Sequence, residues 1–256
     1  MKQTRLFTTP FRDRLFTALG LLLLLGGWQL LSFLTHDILV ASPAQTVASL
    51  WDMLSTAYFR EHSLVTLKRI SIGVLFGGMG GFVLGVTAGL NRDIRNLLNP
   101  LRWIMLSISP VVVVVLAMLW FGMGSTMVIF IASVLIMPIV YVNTVKGIEM
   151  VDATLVEMAQ LYRFSLFMRI RDLYTPAIIG PLSAAMVLVI CMGVRVVLLA
   201  ELMGANDGIG YAVGTTRTDL DTPRLFAWIL VSLAMVSVLE FCLLRPVEKH
   251  FRKWQS

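Results

Sequence analysis

Six apolar runs, each about as long as a bilayer is thick, limit this chain to very few folds. They fall near Leu15–Leu34, Leu64–Leu90, Leu101–Phe121, Met127–Val145, Pro181–Leu202 and Leu225–Leu244. A helix needs roughly 20 mostly apolar residues to cross the hydrocarbon core. Inside that core every backbone polar group must be bonded within the protein, which leaves helices or closed barrels. Runs of this length predict helices, hence an all-α membrane protein with about six transmembrane helices in one domain, residues 1–256. Charged residues make up 14% of the chain, against about a quarter in soluble proteins.

The formal charge of +6 is better explained by loop lysines and arginines that set orientation than by nucleic acid, which is not expected as a partner. With the N-terminus in the cytoplasm, that side collects Lys2, Arg5, Arg12, Arg14, Arg92, Arg95, Arg102, Lys146, Arg163, Arg169, Arg171, Arg245, Lys249, Arg252 and Lys253. The outer side keeps Arg60, Arg217 and Arg224, with Lys68 and Arg69 at the mouth of the second run. Both termini are therefore expected in the cytoplasm, as residues 1–14 and 245–256. Residues 35–62 and 203–224 form outer segments, and residues 146–180 a cytoplasmic loop. The first run lacks a convincing small-residue cleavage site and reads as a permanent span. Cys191 and Cys242 lie in apolar runs and are expected to be small buried hydrophobes without a disulfide.

Within this frame several patterns stand out. Ser42-Pro43-Ala44-Gln45 has the form of a capping box with a first-turn proline. Val47, Leu50, Trp51, Leu54 and Tyr58 then recur at helical spacing, predicting an amphipathic helix at the outer membrane face that packs on the surface or meets a partner. Gly73, Gly77, Gly81, Gly85 and Gly89 recur every fourth residue, a small-residue stripe suited to close helix packing, static or moving. Pro110 and Pro138 should interrupt the third and fourth runs, and Phe121–Ser125 should turn between them. Arg195 lies well inside the fifth run, where an unpaired arginine costs about 3 kcal/mol or more. It is either a fixed charge for an anionic solute or half of an ion pair with another helix. Glu201 is six residues on and faces elsewhere on that helix, and Glu240 is expected to pair with the basic cluster at the sixth run's inner end.

The residues also exclude chemistry. His36, His62 and His250 lie outside the apolar runs, which argues against haem or quinone ligation within the membrane. No Gly-x-x-x-x-Gly-Lys-Ser/Thr loop is present, so ATP is not bound in the P-loop manner. Gly122–Ser125 lacks a histidine placed as a base, which disfavours a serine protease. No catalytic residue, metal site or cofactor is expected on this chain.

The segment Val156–Pro176 combines helical spacing, apolar residues short of a span and a closing proline, a form suited to docking in a partner's groove. Here the chain resembles the permeases of binding-protein-dependent ABC importers, whose cytoplasmic loop reads Glu-Ala-Ala, three residues, Gly, then about a dozen residues to Leu-Pro. Glu157 and Ala159 match the first element, Ser165 the small residue after the glycine, and Pro176 the proline. Met158 replaces an alanine, Arg163 the glycine and Thr175 the leucine. Because that glycine makes a turn between two short helices, either the turn here is made differently or the helices run together. Trp120–Gly124 and Ala200-Glu201-Leu202 followed by Gly208–Tyr211 look like the sulfonate, taurine and nitrate branch. The likeness extends from about Ser42 to the C-terminus.

The resemblance implies a type I importer permease in a prokaryotic inner membrane, working as a homodimer on a cytoplasmic ABC ATPase dimer that binds ATP and Mg. An outer solute-binding protein would deliver a small, anionic solute. Glu157, Met158, Ala159, Arg163, Phe164, Ser165, Phe167, Arg171 and Pro176 would form the docking loop, and Arg195 would line the solute pathway. The competing expectation is a secondary transporter or channel without an ATPase, which internal repeats would favour; the two halves show no convincing one.

Overall fold

The computed structural model describes the backbone of residues 10–36 and 38–252, with side chains from residue 15 to 241 except those of 37, 153 and 166. Lys2, Arg5, Arg12, Arg14, Cys242, Arg245, Lys249, His250, Arg252 and Lys253 lie outside the described side chains. In chain order the helices are α1 (Pro10–Leu34), α2 (Pro43–Leu54), α3 (Ala57–Leu90), α4 (Arg92–Ser107), α5 (Pro110–Phe121) and α6 (Ser125–Glu149). They continue with α7 (Ala153–Leu161), α8 (Leu166–Met168), a π-helical stretch (Arg169–Tyr174), α9 (Thr175–Gly204), α10 (Ile209–Thr218) and α11 (Thr222–Arg252). Five helical stretches are long and apolar enough to cross a membrane, and the bent pair α4–α5 makes a sixth.

The core is built on α6, which packs against α3, α5 and α9. Val128, Ile131, Ala132, Ile136, Val189, Val194 and Val197 form its centre. The glycine row of α3 supplies the closest approach. Gly73 faces Ala132, Gly77 faces Ser133 and Ile136, Gly81 faces Met137 and Val140, Gly85 faces Thr144, and Gly89 faces Ile148. A Cβ on Gly73 would stand 2.6 Å from the Ala132 side chain, and one on Gly77 2.7 Å from the Ser133 carbonyl oxygen. Without a Cβ, α3 and α6 pack backbone to backbone and gain dispersion contacts, which drive helix association where lipid removes the hydrophobic term. Residue numbers rise together along this contact, so α3 and α6 run parallel. The chain must therefore return between them, and α4–α5 makes that crossing as one broken span.

This break is larger than the proline kink expected in a single third span. The axes of α4 and α5 differ by 100°, with Ile108 and Ser109 extended between them. Pro110 begins α5 at its first turn, where its missing N–H removes no helical bond. At the end of α5, Gly122 (φ 68°) and Gly124 (φ 135°) occupy backbone regions that other residues rarely adopt, and they turn the chain into α6.

Several side chains depart from expectation. Ser42 and Gln45 form the reciprocal capping box of α2, at 3.2 and 2.9 Å. Its buried face is Thr46 and Met53, however, while Val47, Trp51 and Leu54 point outward and Trp51 is 77% exposed. The apolar recurrence does not reach Tyr58 in one helix, because Ser55 ends α2 and Thr56 caps α3. The second span begins at Ala57, so His62 lies inside a long helix and is buried. The 203–224 segment contains α10, packed on α9 and α11. Cys191 is a free thiol but only partly buried, and Glu240 is exposed.

Substituting Gly77 by Leu should force α3 away from Ser133 and Ile136 and cost about 2 kcal/mol through overpacking. Gly78→Ala, with nothing within 4 Å of its added methyl, should leave the thermal midpoint of the detergent-purified protein unchanged or slightly raised. Equal losses for the two variants would remove the glycine row from the account of this packing.

Candidate functional site

Two features at opposite ends of the α3–α6 contact concentrate polar chemistry. At the Arg69 end, Arg69 is 2% exposed and Glu201 1%. Every donor position of the Arg69 guanidinium is used. Nε and Nη2 donate to Ser125 Oγ (3.1 and 2.7 Å), Nη1 donates to Glu201 Oε1 and to the Asp207 carbonyl (both 2.8 Å), and Nη2 also donates to the Asp207 carboxylate. The Glu201 carboxylate further accepts from Thr66 Oγ1 and from the Gly210 N–H at 3.0 Å. The Ile209 N–H donates to Thr66 Oγ1, and the Gly208 N–H donates to His62 Nδ1, both at 2.8 Å.

This centre gives a physical reason for the Glu201…Gly208-Ile209-Gly210 pattern. Gly208 sits at φ 102° directly over the Glu201 carboxylate, and a Cβ on Gly210 would meet the backbone of Leu198. Buried charges are tolerable only when paired and hydrogen-bonded. Three parts of the fold converge to meet that condition: α3, the first residue of α6, and the end of α9 with its connection into α10. Arg69, expected at the mouth of the second span, is buried there and paired with Glu201 on α9. The overlooked signal was its register, since Arg69 stands four residues before Gly73 and therefore on the same row.

At the other end the chain projects as α7, a turn and α8. The turn expected of a glycine is made by Arg163, at φ 52°. The Phe164 N–H donates to the Ala159 carbonyl (2.9 Å) and the Arg163 N–H to the Gln160 carbonyl (3.0 Å), the paired bonds of a Schellman motif. The two short helices thus remain separate, and Arg163 carries a left-handed strain of about 1 kcal/mol that glycine would avoid. Asp152 caps α7 by accepting from the Thr154 N–H at 2.9 Å, a bond that holds its carboxyl below the usual carboxylate range.

The nine residues singled out in this loop are not equivalent. Ala159 is buried and Phe164 half-buried, whereas Glu157, Met158, Arg163, Ser165, Phe167, Arg171 and Pro176 are exposed. Leu161 (81% exposed), Tyr162, Phe167 (71%) and Ile170 are exposed apolar side chains of this loop. Leu161 and Tyr162 carried no signal in sequence, because only the turn geometry turns them outward. Pro176 does not close the segment. It lies in the first turn of α9, and α8, the π-helical stretch and α9 follow one another without interruption. Pro176 cannot donate to the carbonyl four residues earlier, and the wider π winding absorbs that loss, with Thr175 donating to Ile170 instead.

Arg195 lies on the exposed face of α9 with Ala184, Leu188, Met192 and Leu202. It takes part in none of the ion pairs among the described residues. No group of His, Cys, Asp or Glu among the described residues is arranged to hold a metal.

Comparison with known proteins adds an independent line. Residues 81–251 match the family described as binding-protein-dependent transport system inner membrane component. A Bacillus subtilis permease, SsuC, whose name assigns it provisionally to aliphatic sulfonates transport, is 27% identical over 252 residues, 96% of this chain and 91% of its own. The riboflavin transport system permease RibX of Chloroflexus aurantiacus is 25% identical, covering 92% of this chain and 88% of its own. The taurine transport system permease TauC of Escherichia coli is 22% identical, covering 77% and 71%. Among solved structures, an amino acid ABC transporter shares the fold with a TM-score of 0.60 at 15% identity, over 75% of this chain and 92% of that one. The MetNI methionine transporter does so with a TM-score of 0.55 at 18% identity, over 81% and 96%.

Arg69→Met should leave Glu201 buried without its partner and cost about 3–5 kcal/mol. Glu201→Gln, which keeps an acceptor for Thr66 and Gly210, should cost less. Both are measurable by thermal unfolding in detergent, and a smaller loss for Arg69→Met would overturn the assignment. At the opposite end, Arg163→Gly should preserve or raise stability, while Arg163→Val, β-branched at a left-handed position, should lower it by about 1–2 kcal/mol.

Proposed function

The chain belongs to the binding-protein-dependent transport system inner membrane component family, as a multi-pass permease subunit of an ABC importer, and on that premise we propose how its parts divide the work. The observation that carries the reading is the unbroken winding from Leu166 to Gly204, which joins the projecting loop to the helix bearing Arg195. A cytoplasmic ATPase dimer grips the exposed apolar side chains of Leu161, Tyr162, Phe167 and Ile170, with Glu157 and Arg171 beside them. Exposed apolar surface of this kind, rimmed by charges, is what a protein partner covers. ATP and Mg act on the ATPase; closure there pushes α8, and the push travels along α9 as a rigid lever rather than through a flexible linker.

The loop end then faces the cytoplasm, a placement that the excess of arginines and lysines on that side supports, and the α2–α10 end faces outward. There a cleft of about 660 Å³ between α2, α10 and the start of α11, edged by Asp52, Asp219, Asp221 and Arg224, forms part of the surface that receives the solute-binding protein. A second copy of the chain covers the exposed face of α9. A lone cation on an apolar face is costly against lipid but suited to a pathway shared by two copies. Arg195 therefore attracts a small anionic solute of the sulfonate, taurine or nitrate kind.

Phe167→Asp and Leu161→Asp should each release the co-purifying ATPase, and Glu157→Arg should weaken it. Full retention by all three would displace the docking surface from this loop. Arg195→Ala should abolish uptake of the anionic solute while the assembly still purifies intact; unchanged uptake would separate Arg195 from the pathway.

A further inference from the structure

A second outer cleft, of about 630 Å³, lies where α10 meets the end of α9 and the turn before α6. Its apolar wall is Met123, Leu202 and Met203, all exposed. Leu202 fixes the place of this cleft relative to Arg195. It follows Arg195 by seven residues, two turns of α9, and so stands on the same face roughly 10 Å further out. Tyr211 lines the cleft from α10, its ring held by stacking on His62 at 5.9 Å. A recess of this size, largely apolar with a few polar groups, is the usual form of a small-molecule site.

The polar groups are of two kinds. Arg217 is an exposed cation and Asp219 an exposed anion; both line the cleft, and neither takes part in an ion pair among the described residues. Asp221, two residues on, is already paired with Arg224 at 3.3 Å. Thr215 and Thr218 spend their hydroxyl protons on the carbonyls of Ala212 and Gly214, both at 3.0 Å, so their oxygens can only accept. Helix energetics account for one charge and not the other. A cation in the last turn complements the helix dipole, whereas an anion at the C-cap opposes it. Arg217 lies in the last turn of α10, and Asp219 is its C-cap. The Leu220 N–H donates to the Arg217 carbonyl and the Asp221 N–H to the Thr216 carbonyl, at 3.3 and 3.1 Å, the paired bonds of a Schellman end with Leu220 at φ 57°. The backbone thus holds Asp219 where the dipole disfavours it, beside an arginine that it does not bind.

We infer that this cleft receives the solute ahead of Arg195, and that the solute is a small zwitterion. Its acidic group pairs with Arg217 and its ammonium with Asp219, the threonine oxygens accept further ammonium protons, and its methylenes lie against Leu202 and Met203. The inference rests on the pathway along α9 proposed above, and it narrows the anionic solute of that pathway to one that also carries a positive charge.

The test uses the full chain with its ATPase in nanodiscs, without a binding protein, and two probes that differ only in the ammonium group, taurine and ethanesulfonate. Binding is followed by saturation-transfer NMR. Taurine should bind about fivefold better than ethanesulfonate, the effect of one exposed ion pair. Asp219→Asn should make the two probes equal, and Arg217→Gln should weaken both. Asp52→Asn, in the neighbouring cleft only, should change neither. Both substituted cleft residues are exposed, so these variants should keep the native thermal midpoint. Absence of saturable taurine binding, equal binding of the two probes, or a preference that survives Asp219→Asn would each overturn the inference. Loss of the preference in Arg195→Ala but not in Asp219→Asn would place recognition at Arg195, overturning the cleft while keeping the pathway. Unchanged uptake in Arg195→Ala, beside a taurine preference that Asp219→Asn removes, would instead take Arg195 out of the pathway and leave the cleft standing.

Discussion

Backbone-to-backbone contact between α3 and α6 is the constraint on which the remaining structure rests. Lipid offers these helices no hydrophobic gain for associating, so the gain must come from close van der Waals approach and satisfied polar groups. The glycine row supplies the first. Two arginines at its ends supply the second: Arg69 binds Glu201, Ser125 and Asp207 at one end, and Arg95 binds Glu149 and the last carbonyls of α3 at the other. The two arginines lock the contact in register, because a slip of one turn would keep glycine against α6 along most of the row but would strand both arginines.

That lock explains what is allowed to be irregular. Since α3 and α6 are parallel, the returning segment α4–α5 can break by 100° without disturbing the core, its ends being held by Arg95 and by the Gly122–Gly124 turn. The α9 helix is tied in antiparallel to α6, with Ile178 near Gly147 and Gly204 near Met127, and its far end is anchored by Glu201. Force applied at the projecting loop therefore meets a helix fixed at its opposite end, which favours tilting of α9 as a body over local bending.

The loop itself shows how local rules bend under tertiary demand. Arginine at a left-handed position is disfavoured, yet Arg163 completes both Schellman bonds, since leaving two carbonyls of α7 unmet would cost more than the strain. Likewise Pro176 would ordinarily end a helix, but a π-helical widening just before it lets the winding continue into α9.

Much of this was legible from residues alone. Run length determined an all-helical membrane protein, the fourfold spacing of Gly73–Gly89 marked a packing row, and Ser42–Gln45 marked a helix start, because each depends on neighbours in sequence. The helical spacing from Glu157 marked the segment that folds as α7, a turn and α8, although Pro176 falls inside α9 instead of closing it. The tertiary structure alone decided which helix the glycine row meets, that the Val47–Trp51 stripe faces outward, that the third span breaks rather than kinks, and that Arg69 finds Glu201 132 residues away. Those outcomes depend on which polar groups must be satisfied once distant helices are brought together, and a linear pattern does not carry that requirement.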